Sequence, residues 1–369
     1  MLISYVKQVI LFPRLIYPAL FFLFVSSPAH ALETIFITGF SQSVSEGADT
    51  NSVVLMSING GLSWTSNFFP LRETRSITAL NSTNYFAVGG TSGADPTGYT
   101  FSTTGGSQSV SSGLLQSVDV NSGTYYTAGA TTNGSSGTIL KSTDGTNWTT
   151  QISSGPKLNG ISALDANVVY AVGASGTVQK TTNGGTNWSS QTTNSNYVLY
   201  GVNAVNSTTA YAVGKNGSDG VILKTTDGTN WITTQTVSGI PLNAISVVDT
   251  NPNIAFAVGD GSVIMQTTDG STWSDSGFST SMGGGLSSIY AVSSTKAYAV
   301  GVLGGVARLD GSSWTDISAN LPAEYQSYNF TGVSVFVTVP EPSTIALSVF
   351  AVSVLAIIHR ARRNAPKHA

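Results

Sequence analysis

The stretch Tyr170-Ala-Val-Gly173-Ala-Ser-Gly-Thr-Val-Gln-Lys-Thr181-Thr-Asn183-Gly-Gly185-Thr-Asn-Trp188 decides the fold, because both of its halves recur along the chain. The second half is one of six Trp-ended phrases. The others are Ser57-Ile-Asn59-Gly-Gly61-Leu-Ser-Trp64, Ser142-Thr-Asp144-Gly-Thr-Asn-Trp148, Thr225-Thr-Asp227-Gly-Thr-Asn-Trp231, Thr267-Thr-Asp269-Gly-Ser-Thr-Trp273 and a worn Leu309-Asp310-Gly-Ser-Ser-Trp314. The tryptophans are 84, 40, 43, 42 and 41 residues apart, and 84 is two periods. A Trp-less copy therefore belongs in the gap, and Ser102-Thr-Thr-Gly-Gly106-Ser-Gln-Ser109 fits it.

The first half of the stretch gives the same count independently. Short apolar runs ending in glycine occur at Phe36–Gly39, Phe86–Gly89, Tyr126–Gly129, Tyr170–Gly173, Tyr211–Gly214, Phe256–Gly259 and Tyr298–Gly301, one ahead of each phrase. A third element, of the kind Leu158-Asn-Gly-Ile161-Ser, Leu199-Tyr-Gly-Val202, Leu242-Asn-Ala-Ile245 and Leu286-Ser-Ser-Ile289, precedes most of these runs. Seven units of about 42 residues, each with four short strands punctuated by Gly, Asn, Asp and Ser, predict an all-β, seven-bladed β-propeller.

The ends of the array predict how the ring closes. Sequence after Ala31 begins directly at the second strand type, so the first unit lacks its opening strand. Phe330-Thr-Gly-Val333-Ser-Val335 has the pattern of that strand and no unit of its own. Residues 328–337 are thus expected to complete the blade begun by residues 33–68, which pairs the N- and C-terminal strands and removes two exposed edges.

Three segments follow: 1–31, 32–338 and 339–369. The first carries Lys7 and Arg14, an apolar run Leu15–Val25 and a small-x-small site at Ala29-His-Ala31, the features of a secretory signal peptide. The last carries Pro340-Glu341-Pro342, an apolar run Ile345–Ile358 and a basic cluster with Arg360, Arg362 and Arg363. Its 14 apolar residues fall short of the roughly 18 or more of a standard spanning helix, while the basic flank is the stop-transfer arrangement. The tripartite order resembles the PEP-CTERM sorting signal of Gram-negative envelope proteins. That resemblance implies a transient membrane anchor, processing by an exosortase, and delivery to the outer surface or extracellular matrix. An ordinary C-terminal anchor is the alternative.

Composition narrows the function. Cysteine is absent and charged residues are 9 % of the chain. Segment 32–338 holds nine Lys or Arg against seventeen Asp or Glu, a net charge of −8, with no basic stripe, which excludes nucleic acid as an expected partner. All three histidines, His30, His359 and His368, lie in the end segments, so the propeller lacks the commonest general base and the most reactive nucleophile. No catalytic, metal-binding or cofactor-binding set is expected.

The Trp-ended phrases resemble the Asp-box, or BNR repeat, known from sialidases and many other propellers, where it is a hairpin staple away from the active site. Asn59, Asp144, Asn183, Asp227, Asp269 and Asp310 are expected to accept turn N–H groups, the following Gly to take positive φ, and Trp64, Trp148, Trp188, Trp231, Trp273 and Trp314 to cover the hairpin, each indole N–H with one partner. One carboxylate per unit cannot supply the six to eight converging oxygens of a calcium site. Sialidase chemistry would need three convergent arginines, and Arg72, Arg75 and Arg308 are not expected to meet. Across all seven units the pattern also resembles the propellers of photosystem II stability and assembly factors and their bacterial relatives, which implies protein binding rather than catalysis. Their arginine-rich client patch has no counterpart here.

The expected function is a non-enzymatic, exported surface or matrix protein whose propeller binds an envelope protein or an exopolysaccharide. A passive matrix component and a glycan-acting hydrolase or lyase are the alternatives. Apparent insertions at Gly90–Tyr99 and Gly214–Gly220 are candidate binding loops.

Overall fold

The computed structural model describes residues 32–338 except 42–50, 71, 92–95, 104–105, 111 and 280–283. The signal-peptide features, Ala29 and Ala31 among them, and the sorting-signal residues Pro340, Glu341, Pro342, Arg360, Arg362 and Arg363 lie outside the described residues. Leu32–Thr338 is one compact unit. It is a seven-bladed propeller of seven four-stranded antiparallel sheets.

Within each blade the strands are called a to d from the axis outward. The a strands are Tyr328–Thr338, Glu73–Ala79, Leu115–Asn121, Leu158–Ala163, Tyr197–Ala204, Leu242–Val248 and Leu286–Ser293, for blades 1 to 7. The Tyr/Phe-Ala-Val-Gly runs form the b strands. Their continuous apolar character follows from burial on both faces: all five residues of Val169–Gly173 are buried. The d strands, such as Thr65–Phe69, are largely exposed.

Cores form between blades, where the b and c strands of one sheet face the a strand of the next. One such cluster joins Tyr170, Val172 and Val178 of blade 4 to Leu199, Val202 and Leu223 of blade 5. Each blade thus buries its apolar face on its neighbour, so stability depends on an unbroken ring.

Closure follows the sequence expectation. Tyr328–Thr338 pairs antiparallel with Leu32–Ser41, with Leu32 opposite Thr338 and Ile35 opposite Val335. Phe330, Val333 and Val335 are buried in a cluster shared with Ile35, Ile37 and Tyr298. Beside it Tyr298 Oη donates to Glu33 Oε2 at 2.9 Å, and Lys296 Nζ lies 3.0 Å from Glu33 Oε1, tying blade 7 to the first residues of blade 1.

Candidate functional site

The boxes are the c–d hairpins of their blades. In blade 3, Asp144 Oδ1 accepts the N–H groups of Thr146 (2.8 Å) and Asn147 (2.7 Å), and Ser142 Oγ donates to it at 2.9 Å. Gly145 takes φ +73°, where a Cβ would be strained. Asp227 and Asp269 repeat the arrangement. The bonds to Asn147, Asn230 and Thr272, backbone first, hold these three carboxyls well below the usual carboxylate range. Asn59 and Asn183 do the same work in the longer boxes, accepting from Ser63 (3.0 Å) and Asn187 (2.9 Å). Asp310 departs from the pattern: it pairs with Ser313 across a two-residue hairpin turn, and its carboxylate lies 3.7 Å from Arg308.

The tryptophans lean on the preceding blade. Trp148 contacts Phe86 of blade 2, Trp231 meets Tyr170 of blade 4 edge-on at 6.1 Å, Trp273 meets Tyr211 at 6.3 Å and Trp314 meets Phe256 at 6.0 Å. Each box Trp in these blades therefore rests on the aromatic residue that opens the previous Tyr/Phe-Ala-Val-Gly run. Only Trp273 is fully buried; the other five are half-buried.

The expected indole partner exists in one box. Trp231 Nε1 donates to Gln191 Oε1 at 3.0 Å, whereas the buried Nε1 atoms of Trp64, Trp148, Trp188, Trp273 and Trp314 have no hydrogen-bond partner. In blade 4's box Gln151, at the position equivalent to Gln191, donates from Nε2 to Thr149 Oγ1 at 3.1 Å.

A second staple, not foreseen from sequence, crosses four interfaces. Lys141, Lys180, Lys224 and Arg308 immediately precede their own boxes and reach the next blade's box. They donate to the carbonyls of Gly184 (2.7 Å), Gly228 (3.2 Å), Gly270 (2.9 Å) and Gly60 (3.1 Å). The three lysines also lie over the rings of Tyr126, Tyr170 and Tyr211.

The central channel is lined by the a strands. A cavity of about 560 Å³ opens at the end where these strands begin, with Arg75, Gln116, Asn159, Tyr200, Asn243 and Ser287 among its wall residues. One of about 700 Å³ opens at the other end, near Asp119, Asp249 and Tyr290. Antiparallel order puts the boxes at this second end and the b–c loops at the first.

Most of the channel's polar groups hold the ring together. Ser162, Asn203, Ser246 and Ser334 accept the N–H groups of Ala204, Val247, Ala291 and Ala79 on the next blade, at 3.1, 2.6, 2.9 and 3.0 Å. Asp119 Oδ2 does the same for Ala163 at 2.8 Å. At the other two interfaces, where Thr78 and Tyr290 occupy that position, Ser76 and Ser288 accept from Val118 (3.3 Å) and Val333 (3.2 Å). Every blade-to-blade step around the channel carries at least one such bond.

Burial lifts the Asp119 carboxyl to about 6 against the pull of its two backbone amides, with Asp249 adding to the rise. Burial also raises Asp249 and, helped by both carboxylates, pushes Tyr290 up to about 12. The channel is therefore neither chargeless nor a convergence of three charged groups.

The arginines stay apart. Arg75 pairs with Glu73 and lies over Phe40, Arg72 stacks on Tyr99 at 4.0 Å, and Arg308 serves the box of blade 1. Among the described residues no cluster of three metal-ligating side chains occurs.

Of the two apparent insertions, 214–220 is no loop. Its residues extend a hairpin through the pairs Lys215–Gly220 and Asn216–Asp219, turning at Gly217 with φ +61°. Residues 92–95 of the other fall outside the described residues.

No family model matches the chain, and no curated protein matches its sequence. Solved structures do resemble it. YCF48 bound to D1 peptide superposes with a TM-score of 0.53 at 14 % identity, covering 76 % of this chain and 93 % of that one. An enzyme, Niastella koreensis GH74, gives 0.52 at 15 % identity, covering 80 % of this chain and 54 % of its own. A catalytically inactive virginiamycin B lyase from Staphylococcus aureus with quinupristin gives 0.51 at 12 %, covering 71 % and 91 %. At such identities the likeness is one of fold, shared by an assembly factor, a hydrolase and a lyase.

Proposed function

We propose that this is an exported, non-enzymatic binding protein. In this reading the propeller is held at the membrane by its C-terminal segment until an exosortase-type enzyme processes it. It then presents its face at the cell surface or in the matrix to an envelope protein or an exopolysaccharide. The observation that carries the reading is the division of labour in the channel. The hydroxyls and amides deep in the wall are spent on blade-to-blade bonds. At the b–c loop end Asn159 and Asn243 also donate to the next blade, to the carbonyls of Leu199 (2.8 Å) and Leu286 (2.9 Å). Gln116 and Tyr200 make no such bond among the described residues and line an open, weakly charged mouth. A rigid frame with a polar, partly aromatic mouth suits recognition of hydroxyl- and amide-rich chains, and loops on such a frame are the usual binding surface. The fold resemblance to YCF48, whose structure carries a peptide, agrees with a binding role.

The test is a pull-down with purified residues 32–338 against separated exopolysaccharide and envelope-protein fractions of the source cells, repeated with Tyr200→Ala. Capture of one class, weakened by Tyr200→Ala, supports the reading and names the partner. Capture of neither favours a passive matrix component. Turnover of a glycan by the same preparation would revive the hydrolase or lyase alternative.

A further inference from the structure

Among the described residues, Leu32, Ile58, Leu62, Phe68, Ile232 and Leu303 are the exposed large hydrophobics. Ile232 and Leu303 stand singly, as surface apolar residues often do. Three of the others share one corner. Ile58 and Leu62 are the outward residues of the blade 1 box, 58 % and 64 % exposed, and Leu32 is 56 % exposed. Ser57, which opens that box, pairs with Ile35, and Leu32 pairs with Thr338, so the box and the last residues of the closing strand leave blade 1 at the same end.

The corner is peculiar to blade 1. The positions of Ile58 and Leu62 are Thr143 and Thr146 in blade 3, Thr182 and Thr186 in blade 4, Thr226 and Thr229 in blade 5, and Thr268 and Ser271 in blade 6. A threonine thus satisfies the turn, and the box geometry does not ask for the apolar side chains. The corner is also rigid: Arg308 and Asn320 of blade 7 donate to the carbonyls of Gly60 and Gly61, both at 3.1 Å.

What covers this corner follows from the chain beyond it. Thr338 is followed by residues 339–344 and then by the apolar run Ile345–Ile358. Six residues reach at most about 20 Å even when fully extended. If the run lies in a bilayer, the end of blade 1 that carries Thr338 is held within that distance of the lipid. We infer that Leu32, Ile58 and Leu62 form a lipid-contact corner that seats the propeller on the membrane, box side inward, while the tail is anchored. This rests on the tail-anchored reading above and deepens it. The b–c loop end, with its open polar mouth, then faces away from the membrane.

The cysteine-free sequence permits a clean test. Single substitutions Leu62→Cys, Ser135→Cys in the b–c loop of blade 3, and Thr229→Cys in the box of blade 5 each give one labelling site. All three positions are exposed. The chain from Leu32 to Ala369, labelled with a polarity-sensitive fluorophore, is reconstituted into phosphatidylcholine–phosphatidylglycerol vesicles and floated. A chain ending at Thr338 is the untethered control. The expected result is co-flotation of the longer chain, with a blue shift and quenching by spin-labelled lipid for the label at position 62 and none at 135 or 229. Flotation with position 62 as water-exposed as position 135 overturns the seating and leaves the tether standing. No flotation of the longer chain overturns the tether, and the seating with it. A label at 62 shielded in proportion to protein density, but untouched by the lipid quencher, overturns the lipid assignment in favour of a second copy of the chain.

Discussion

Lys180 of blade 4 reaches across the interface to donate from Nζ to the carbonyl of Gly228, in the box of blade 5, at 3.2 Å, and to that of Ser207 at 2.8 Å. Its ammonium also lies 4.9 Å from the centre of the Tyr170 ring, whose hydroxyl donates to the same Ser207 carbonyl. Burial lowers the lysine pKa and the nearby Asp227 charge opposes that fall. The pairing recurs: blades 3, 4, 5 and 7 have Tyr at the head of the b strand and Lys or Arg before the box. Blades 1, 2 and 6 have Phe with Met56, Phe101 or Gln266. In blades 4 and 5 the hydroxyl and the ammonium share one carbonyl, of Ser207 and of Gly270, whereas in blades 3 and 7 the hydroxyl goes to the Ala166 carbonyl and to Glu33 Oε2.

Lys180→Met tests the staple. Met56 shows that methionine is accommodated at this position in blade 1, so the change removes the charge and its bonds while keeping much of the stem. Loss of the charge-assisted bonds to two carbonyls is expected to cost about 1.5–3 kcal/mol. Urea unfolding measures it, and a loss within about 0.5 kcal/mol, as at ordinary surface sites, would show that the staple contributes nothing.

The tryptophans are expected to be unequal. Trp273→Ala removes a side chain that is 7 % exposed and packed on Tyr211. A loss of about 3–5 kcal/mol is expected there. Trp188 is half-buried, so Trp188→Ala should cost clearly less than Trp273→Ala under the same denaturation assay. The reverse order would mean that neighbouring-blade packing is not what the boxes contribute.

What could be read from the chain, and what could not, divides by the range of the contacts. A box is local in its turn: Asp144 and Gly145 do their work within a few residues, and Trp148, whose packing partner Phe86 lies in the preceding blade, marks the hairpin by its fixed spacing from them. The surplus strand around Val333 was legible because a ring leaves no strand without a blade. The lysine staples were not, since their partners are backbone carbonyls some 40 residues on, and a carbonyl has no sequence signature. The channel bonds of Ser162 and Ser246 were hidden in plain composition, because serine also fills the exposed turns. The same ambiguity misled the reading of 214–220, where Gly, Ser, Asn and Asp build a tight hairpin rather than a loop.

Removing the closing strand is the direct test of the ring. Deletion of residues 328–338 strips Ile35 and Ile37 of their cover and breaks the bonds made by Ser288 and Ser334. It also leaves Leu32–Ser41 as a long apolar edge, which invites aggregation. The expected outcome is lost solubility or a sharply lower Tm. A deletion variant that melts where the full propeller does would rule out closure by this strand.

Asp119 should leave a mark on the pH dependence of stability. Its carboxyl is lifted from 3.8 to about 6, chiefly by burial. A carboxyl with a raised pKa favours the folded state while protonated in both states, and that advantage is lost as pH climbs from about 4 through about 6. The full displacement is worth on the order of 3 kcal/mol, at about 1.4 kcal/mol per pH unit. Because Asp119 lines the open channel and is only half-buried by surface area, screening there should reduce this to about 1–3 kcal/mol. The box carboxyls act oppositely: their pKa values are depressed, so their contribution is intact above about 4 and fades only below it. Asp119→Asn isolates the effect, since Asn203 already accepts a next-blade amide from the equivalent position. The parent protein should lose stability between pH 4 and pH 6.5 relative to the variant, with the gap set by urea midpoints at each pH. Parallel curves across that window would mean that the Asp119 carboxylate titrates as it would in free solution.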